Sequence, residues 1–446
     1  MKFSILFFIC LIVNPSSHSQ VLNGPMIGHV TFNEVNLWVQ TAKSQKVGFA
    51  YKIASPSVKQ WNFTATEITN SANAFVYKTT LANLVQGATY TYRVVIDGKI
   101  QESRGVQQFT TQQQWAYRTN PKDFSFALGS CTYVNEEQTD RLNQVYGGDY
   151  QIFNQIAPHT PSFMLWLGDN IYLRESDWSS KSGLQYRYTH TRNIAEMQTL
   201  LANVPQYAIW DDHDYGPNNA NESYILKDES RRVFMNYWGN PSYGEENKGI
   251  YSKISYSDVD FYLLDDRFFR DADEKPDSIN GLPNPDKRMF GEKQLQWLEN
   301  EILTSYATFK IILVGSQVLN PISKSDCLRH YPQDFNELLR IISQNKINGV
   351  LFFSGDRHQS EVIKHDRIGT YSLYDVTVSP YSAGTHKFSK LEANNPARII
   401  GIDEKQNFGK VSVSGERKNR ILKVEFIGLR GEKLGEWSVN EKELRF

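Results

Sequence analysis

Six short, continuous apolar runs, each followed by a polar cluster, constrain the fold of this chain more than any other feature. Runs of this kind are typical of strands buried on both faces of a sheet. Helical stretches at 185–201, 292–303 and 334–343 separate several of them. The pattern predicts a layered α/β domain. The runs and clusters are 124–128 with Gly129-Ser130-Cys131, 163–167 with Gly168-Asp169, 208–210 with Asp211-Asp212-His213, 261–264 with Asp265-Asp266-Arg267, 311–314 with Gly315-Ser316-Gln317, and 350–353 with Ser354-Gly355-Asp356.

Residues 20–113 have a different pattern, because apolar and polar residues alternate there with a period of two. This alternation predicts an all-β sandwich, and the stretch 81–94 resembles the turn and following strand of fibronectin type III-like modules. The polar run 110–114 reads as a linker, so the second domain is predicted to cover 114–446. Alternation returns at 408–439, where we expect a β-hairpin that pads this domain.

The first 19 residues read as a secretory signal peptide. Lys2 precedes an apolar run at 3–13, and a break at Asn14-Pro15 leads into small and polar residues. A membrane anchor, the alternative, needs about 20 apolar residues, and no later segment approaches that length. We therefore expect a secreted protein, periplasmic or extracellular, without an integral membrane span.

Charge and cysteine content exclude several classes of protein. Of the 446 residues, 48 are Lys or Arg and 49 are Asp or Glu, so the formal net charge is −1 and the chain has no general attraction for nucleic acid or anionic membranes. After removal of the signal peptide only Cys131 and Cys327 remain, too few for a disulfide framework. A single bridge between these two is an open alternative.

The polar clusters gather many acids at one edge of the predicted sheets, where ligands of α/β proteins bind. Crowded carboxylates repel each other unless cations neutralise them, so the sequence predicts a metal centre. Thiolate and phenolate donors favour iron(III), whereas an oxygen-only neighbour favours calcium, magnesium or manganese. Each motif alone has a simpler explanation: Gly168-Asp169 could form a turn, 211–214 a solvated loop, and His358 could be a buried core histidine. Because six polar clusters coincide with predicted strand ends, a functional site explains them better together.

The motifs together carry a family resemblance. Their order is Gly129-Ser130-Cys131, Trp166-Leu167-Gly168-Asp169-Asn170-Ile171-Tyr172, Trp210-Asp211-Asp212-His213-Asp214 with Asn218, and Ser354-Gly355-Asp356-Arg357-His358. This set resembles the PhoD-like alkaline phosphatases and phosphodiesterases, a branch of the calcineurin-like metallophosphoesterases related to purple acid phosphatases. The resemblance covers nearly the whole chain. It implies a layered metallophosphoesterase β-sandwich core flanked by helices, after an N-terminal sandwich.

The resemblance also implies the metal ligands. Cys131, Asp169, Tyr172 and His358 would bind Fe(III), and Asp169 would bridge to a second metal that Asp212 and Asp356 also hold. Most relatives in the wider superfamily have asparagine and histidine at these last two positions, and the exchange for carboxylates favours Ca²⁺ or another hard divalent cation. Two departures from the usual pattern are Asp214, where glutamate is common, and Ser316-Gln317, where a further histidine is common.

The implied reaction is hydrolysis of phosphate monoesters, diesters or both by a metal-activated hydroxide, on a small-molecule or polymeric substrate. Asp212 and His213 are the predicted catalytic residues, and His213 would protonate the leaving oxygen or only orient a carboxylate. The predicted substrate-binding residues are Arg267, Arg357, Asn218 and Asn170, although each arginine could equally pair with an acid. The stretches 271–288 and 381–396 are expected at the rim.

Two other functions fit parts of the sequence. The chain could be a non-catalytic secreted protein that binds a surface or polysaccharide through aromatic side chains of its sandwich, namely Trp38, Tyr51, Tyr77, Tyr90 and Tyr92. Period-two spacing of aromatics is more often typical of a core, and the presence of the metal ligands opposes this function. A redox role for iron is the second alternative, and the chain offers no further redox group. The sequence makes no prediction of oligomeric state.

Overall fold

A computed structural model describes residues 20–103, 105–324 and 326–446. The predicted signal peptide, residues 1–19, lies outside them. No helix in this part of the chain combines the length and the apolar character needed to cross a membrane.

The N-terminal region is all β. Its strands are β1 (Val21–Val30), β2 (Val35–Thr41), β3 (Lys46–Ile53), β4 (Asn62–Phe63), β5 (Glu67–Ile68), β6 (Val76–Leu81), β7 (Thr89–Ile96), β8 (Lys99–Ile100) and β9 (Gln108–Thr110). One sheet has the order β1-β2-β6, and the other has the order β4-β3-β7-β8 with β5 on β3 and β9 on β7. The ring of Phe49 on β3 stacks 5.9 Å from that of Tyr77 on β6, so the core lies between the two sheets.

Four of the five sandwich aromatics that were candidates for sugar binding are core residues. Trp38, Tyr77, Tyr90 and Tyr92 are at most 4% exposed, so these four cannot stack on a polysaccharide. Tyr51 is half-buried, and its ring packs 6.3 Å from that of Tyr90. Their period-two spacing reflects burial.

The second region contains the remaining strands and the helices. The strands are β10 (Phe124–Gly129), β11 (Met164–Leu167), β12 (Gln206–Ile209), β13 (Ser252–Tyr256), β14 (Val259–Leu263), β15 (Ser278–Ile279), β16 (Leu282–Pro283), β17 (Phe309–Val314), β18 (Val350–Ser354), β19 (Ser360–His365), β20 (Leu373–Thr377), β21 (Arg398–Ile402), β22 (Asn407–Ser414), β23 (Ile421–Gly428) and β24 (Lys433–Asn440). The helices are α1 (Gln151–Ile156), α2 (Lys181–Arg192), α3 (Ala195–Asn203), α4 (Asp212–Tyr215), α5 (Lys227–Tyr237), α6 (Glu292–Leu303) and α7 (Pro332–Gln344).

All of these strands except β15 and β16, which pair with each other, form two large sheets that pack face to face. One has the order β12-β11-β10-β22-β23-β24 and the other β13-β14-β17-β18-β20-β19-β21. The ring of Phe126 on β10 lies 5.2 Å from that of Phe261 on β14 and 6.4 Å from that of Phe353 on β18. The predicted α/β class is confirmed. The stretch 408–439, however, forms three antiparallel strands that extend the sheet beside β10, and not one hairpin padding the domain.

The two regions are joined by direct contacts. Trp38 Nε1 donates to the carbonyl of Asn236 at 2.9 Å, and Lys78 Nζ donates to that of Trp238 at 2.7 Å. The backbones of Gly28 and Gly239 approach so closely that a Cβ on Gly28 would meet Gly239 at 2.8 Å. The sandwich is thus built onto the second region through buried groups.

Candidate metal centre

The predicted polar clusters meet because their strands run parallel. β10, β11 and β12 are mutually parallel neighbours in the first sheet, and β14, β17 and β18 are parallel neighbours in the second. Parallel strands carry their C-terminal ends to one edge of a sheet, which is where ligands of α/β folds bind. The packing of the two sheets brings both edges together around Asp169 and Asp356.

The backbone at this edge is strained at four predicted ligands. Cys131, Asp169, Asp356 and His358 have φ angles of 61°, 52°, 65° and 53°, in the left-handed region that non-glycine residues rarely adopt. Each such residue costs about 1 kcal/mol or more and persists only where the surrounding structure imposes it. Backbone strain at four residues of one cluster indicates a functional site.

The first group of donor atoms combines four residue types. One ligand atom from each of Cys131, Asp169 and His358 lies within 4.8 Å of the others. The Tyr172 hydroxyl lies 2.9 Å from Asp169 Oδ2 and 2.9 Å from His358 Nε2. A thiol, a carboxyl, a phenol and an imidazole therefore converge, as predicted for the iron ligands.

His358 is held in the tautomer that a metal ligand requires. Its Nδ1 lies 2.5 Å from the carbonyl oxygen of Gly384, which can accept a hydrogen bond but cannot donate one. We assign the N–H to Nδ1 on this basis, which leaves the Nε2 lone pair facing Tyr172 and Asp169. A backbone carbonyl behind the ring is a common support for metal-binding histidines.

The second group contains Asp169, Asp212 and His213, whose donor atoms also lie within 4.8 Å of one another. Asp212 Oδ2 accepts a hydrogen bond from the Asn219 amide at 2.8 Å. Asp356 lines the same cavity, although its carboxylate falls in neither compact group of the described residues. The Asp169 side chain therefore belongs to both groups, as expected of a bridging ligand.

The electrostatics of the cluster suit a cation. Burial, with Cys131 and Asp212 nearby, raises the pKa of Asp169 well above its usual value. Burial and the charge of Asp326 raise the pKa of Asp356 to about 6. Burial and Asp356 raise the pKa of the Cys131 thiol to about 11. A bound cation would reverse all three shifts, because it stabilises the anionic forms.

Unsatisfied hydrogen-bonding capacity points the same way. Asp169 Oδ1 is buried and has no hydrogen-bond partner among the described residues. A buried carboxylate oxygen without a partner is costly, and coordination to a metal satisfies it. Together with the S, N and O donors, this oxygen shows that the residues fit a metal centre.

The two cysteines are free and buried, which excludes the alternative of a Cys131–Cys327 bridge in this structure. Cys131 Sγ lies 3.1 Å from the Ser379 hydroxyl oxygen and 3.6 Å from Asp169 Oδ2. Cys327 instead donates to the carbonyl of Asn320 at 3.7 Å. Only one of the two thiols is therefore part of the cluster.

His213 lies against the cluster as well. Its ring centroid is 4.3 Å from that of Tyr172, and burial lowers its pKa. Burial opposes the charge of Asp212, yet His213 and Arg267 hold the pKa of Asp212 below its usual range. An imidazole with a lowered pKa therefore lies beside a carboxyl group with a lowered pKa.

Two of the four predicted substrate-binding residues are engaged by the protein itself. Arg267 is fully buried, with Nε 2.5 Å from Asp211 Oδ1 and Nη2 2.5 Å from Asp326 Oδ2. Asn170 Nδ2 donates to the carbonyl of Ile209 at 2.8 Å. Neither is among the cavity-lining residues. The side chains of both residues are therefore directed at other groups of the protein.

Arg357 and Asn218 do line the cavity, which has a volume of about 1190 Å³. Arg357 pairs with Glu392 and donates to Ser323 Oγ at 3.3 Å, so the alternative of an arginine paired with an acid also holds for it. The expected rims are confirmed in part by Asp273, Asp277 and Lys287 of 271–288 and by Thr385, His386, Lys387 and Glu392 of 381–396.

The two departures from the usual pattern have structural explanations. Asp214 caps the short helix α4, because its carboxylate accepts from the amides of Asp211 and Asn170 at 3.1 Å. Ser316 donates to Asp266, and Gln317 Nε2 donates to Glu361 at 2.7 Å. The turn after β17 thus supplies no ligand at the histidine position.

Several cavity residues lie outside the motifs and rim stretches of the sequence analysis, among them Arg270 and Asp326. Asp326 Oδ1 lies 3.0 Å from Arg270 Nη2, while its other oxygen binds Arg267. They come from loops and not from the ends of apolar runs. The charge of Asp326 and Arg270 was the only available signal, and charge alone does not distinguish a cavity from a solvated surface.

Comparisons with known protein families match the two regions of the chain separately. A sequence profile described as PhoD-like phosphatase matches residues 126–418. The chain belongs to the PhoD-like phosphatase family. A profile for a domain of unknown function, DUF7800, matches residues 18–114.

Two individual relatives agree with this assignment. The chain is 24% identical to alkaline phosphatase D of Bacillus subtilis (strain 168) over 288 residues. The aligned region covers 54% of this chain and 47% of the relative. The match thus spans about half the length of that protein. A solved structure titled "Structure of PhoD" superposes with a TM-score of 0.77 at 16% identity, over 97% of this chain and 93% of the other. The fold is therefore the PhoD fold.

Proposed function

We propose that this protein is a metal-dependent phosphoesterase that hydrolyses phosphate monoesters, diesters or both. The observation that carries the proposal is the meeting of Cys131, Asp169, Tyr172 and His358 at the strand ends of a PhoD-like fold. Asp169 and His358 of this donor set line a cavity large enough for a phosphoester. The substrate is a small molecule or a polymer that carries a phosphoester.

The metal assignment is part of the proposal. Cys131, Asp169, Tyr172 and His358 would hold iron(III), since thiolate, phenolate and imidazole are suitable ligands for a transition metal. Asp169, Asp212 and Asp356 would hold a second cation. Calcium, or another hard divalent ion, suits those carboxylate oxygens.

A pair of bound cations would activate a water molecule and neutralise phosphate oxygens. The chain's own groups orient the reaction around them. The imidazole of His213 lies beside Asp212, where a ring N–H can donate a hydrogen bond to the leaving ester oxygen. Asn218 and Arg357, at the cavity wall, are the proposed contacts of the remaining substrate oxygens.

Arg267 and Asn170 contribute indirectly. Arg267 Nη2 lies 3.9 Å from Asp212 Oδ1 and 2.5 Å from Asp326 Oδ2, while Nε donates to Asp211 Oδ1 at 2.5 Å. The backbone amide of Asn170, next to Asp169, donates to the Asp214 carboxylate at 3.1 Å. In this proposal the two residues fix the positions of Asp212 and Asp169 and do not touch the substrate.

The location and domain organisation are proposed from the sequence. The run at 3–13 supports export and a secreted protein. The profile matches at 18–114 and 126–418 support the proposed division into 20–113 and 114–446. A fibronectin type III-like sandwich is the proposed type of the N-terminal region.

The test is a kinetic and elemental assay of the purified protein. Hydrolysis of p-nitrophenyl phosphate, a monoester, and of bis(p-nitrophenyl) phosphate, a diester, should be measured beside the iron and calcium content. We expect hydrolysis of at least one ester by protein that contains metal. A metal-loaded protein without activity on either ester would contradict the proposal. The relative kcat/KM values assign the ester preference.

A further inference from the structure

Four histidines line the cavity beside the metal ligands: His213, His330, His358 and His386. Three of them have a structural explanation. His358 is bonded to Tyr172 and Gly384, His330 Nε2 lies 3.0 Å from the carbonyl oxygen of Ser323, and His213 belongs to the second donor group. The role of His386 is not explained by any of these contacts.

The main chain fixes His386 against His358. The His386 amide donates to the carbonyl of His358 at 2.9 Å, and the carbonyl of His386 accepts from the amide of Glu404 at 3.2 Å. Two residues earlier, Gly384 supplies the oxygen that orients His358 Nδ1. The turn 384–386 therefore contacts His358 through two backbone groups and places a second imidazole next to it in the cavity.

The ring of His386 stacks on that of His358, with centroids 4.6 Å apart and planes inclined by 20°. Neither of its ring nitrogens has a hydrogen-bond or ion-pair partner among the described residues, and the residue is exposed to the cavity. A stacked ring with a tethered backbone loses little further entropy when a ligand binds. The His386 ring is therefore a preorganised hydrogen-bond donor.

The charged neighbours of His386 do not compete for its nitrogens. Lys387 pairs with Glu404 at 3.3 Å, and Arg357 pairs with Glu392. The acids of the rim are thus directed to other cations. The donor capacity of the His386 ring is left for a molecule in the cavity.

We infer that His386 is a substrate-binding residue, whose ring N–H donates a hydrogen bond to a phosphoryl oxygen of the ester. The inference rests on the proposed function for the identity of the substrate. It adds a contact on the His358 side of the cavity, whereas His213 acts on the Asp212 side. Successive ring contacts, His213 to Tyr172 at 4.3 Å, Tyr172 to His358 at 6.3 Å and His358 to His386 at 4.6 Å, separate the two.

Two substitutions separate hydrogen bonding from packing. His386→Phe keeps a ring that stacks on His358 and removes both nitrogens, whereas His386→Gln keeps an N–H donor and removes the ring. The control is His365→Phe, at a half-buried histidine of β19 that packs against Phe335 and lies outside the cavity. Binding of inorganic phosphate to the purified, metal-containing proteins should be measured by calorimetry, with KM for p-nitrophenyl phosphate and metal content.

We expect His386→Phe to weaken phosphate binding and to raise KM about tenfold, the effect of losing one hydrogen bond to a charged group. Metal content should not change. His386→Gln should recover part of the affinity, and His365→Phe should match the unsubstituted protein. Phosphate affinity of His386→Phe within twofold of the unsubstituted protein would overturn the inference. So would a parallel loss of metal, which would mean that the ring only shapes His358.

The binding readout also distinguishes this inference from the proposed function. If the protein binds phosphate in a His386-dependent way but hydrolyses neither ester, the inference is supported and the phosphoesterase proposal fails. If the protein hydrolyses an ester and the His386 variants bind phosphate normally, the phosphoesterase proposal is supported and the inference about His386 fails. A protein that binds no inorganic phosphate overturns the inference.

Discussion

The sulfur of Cys131 lies 3.6 Å from Oδ2 of Asp169, although the two residues follow different strands and are 38 positions apart in the chain. β10 and β11 are parallel neighbours, and Gly129 is in register with Trp166. The left-handed backbone after each strand then turns both side chains toward one point. Strand register and local strain together build the cluster.

The first prediction concerns Asp169, the residue shared by both donor groups. Asp169→Asn should reduce kcat/KM for an aryl phosphate about a hundredfold or more, because the carboxylate that joins the two metals is lost. Asparagine keeps the size of aspartate and tolerates a positive φ, so the fold should persist. Activity, circular dichroism and metal content should be measured beside Asp97→Asn, the same change in an exposed hairpin of the sandwich. Retention of most activity would refute the shared-ligand assignment.

The second prediction uses the two buried thiols as a matched pair. Thiolate and phenolate donation to iron(III) produces a visible charge-transfer band. Cys131→Ser should weaken or shift this band and lower iron content, because Cys131 lies among the donors. Cys327→Ser should leave both unchanged, since that thiol contacts Asn320. A colourless, iron-free and fully active protein would contradict the iron assignment.

Much of the fold was predictable from the sequence because burial on both faces of a sheet leaves a continuous apolar run. The run 350–353 lies within β18, and the predicted helix 292–303 matches α6. The helix predicted at 185–201 is instead two helices, α2 and α3, because Ile194 adopts an extended conformation with ψ 135°. Residues 189–195 contain neither Gly nor Pro, so no helix-breaking residue marks this break in the sequence.

The site was predictable in part for a related reason. Ligands at strand ends follow recognisable runs, and the family resemblance added Tyr172. Asp326 and His386 come from loops whose path is determined by tertiary contacts, such as the bond from the His386 amide to His358. The charge of Arg267 suggested a substrate contact, and the sequence could not show that this arginine pairs with Asp211 and Asp326.

The third prediction separates the two metals. Oxygen-only coordination by Asp212 and Asp356 should hold calcium more loosely than the thiolate-containing group holds iron. A calcium-selective chelator should therefore abolish hydrolysis while iron content and colour remain, and calcium should restore the rate better than zinc. His358→Ala should show the opposite order, with iron lost first. Activity that survives calcium removal, or that returns only with zinc, would exclude a calcium site.

The fourth prediction concerns pH and the metal-free protein. Burial and Asp326 raise the pKa of Asp356 to about 6, from an ordinary value of 3.8. A raised folded-state pKa means that this group stabilises the fold most below about pH 4, and that the contribution is lost as pH rises through about 6. Chelated protein should therefore lose stability over this interval, and added metal should raise the melting temperature more at pH 8 than at pH 5. Equal metal-induced shifts at both pH values would contradict the assignment.

The last prediction tests the junction between the two regions. Gly28 and Gly239 lie backbone to backbone, and the amide of His29 donates to the carbonyl of Gly239 at 2.8 Å. Gly28→Ala would put a methyl group 2.8 Å from Gly239, which should lower the free energy of unfolding by about 1–3 kcal/mol through overpacking.

Gly105→Ala is the matched control, because a Cβ there meets nothing within 4 Å, and its effect should stay within about 0.5 kcal/mol. Both variants should keep the kcat of the folded protein, since neither residue lines the metal-facing cavity. Urea unfolding followed by tryptophan fluorescence measures the difference, and Trp38 at the junction provides a local signal. Equal stability of the two variants would mean that the sandwich and the second region separate easily. In that case the buried contacts of Trp38 and Lys78 would not contribute to the stability of the whole chain.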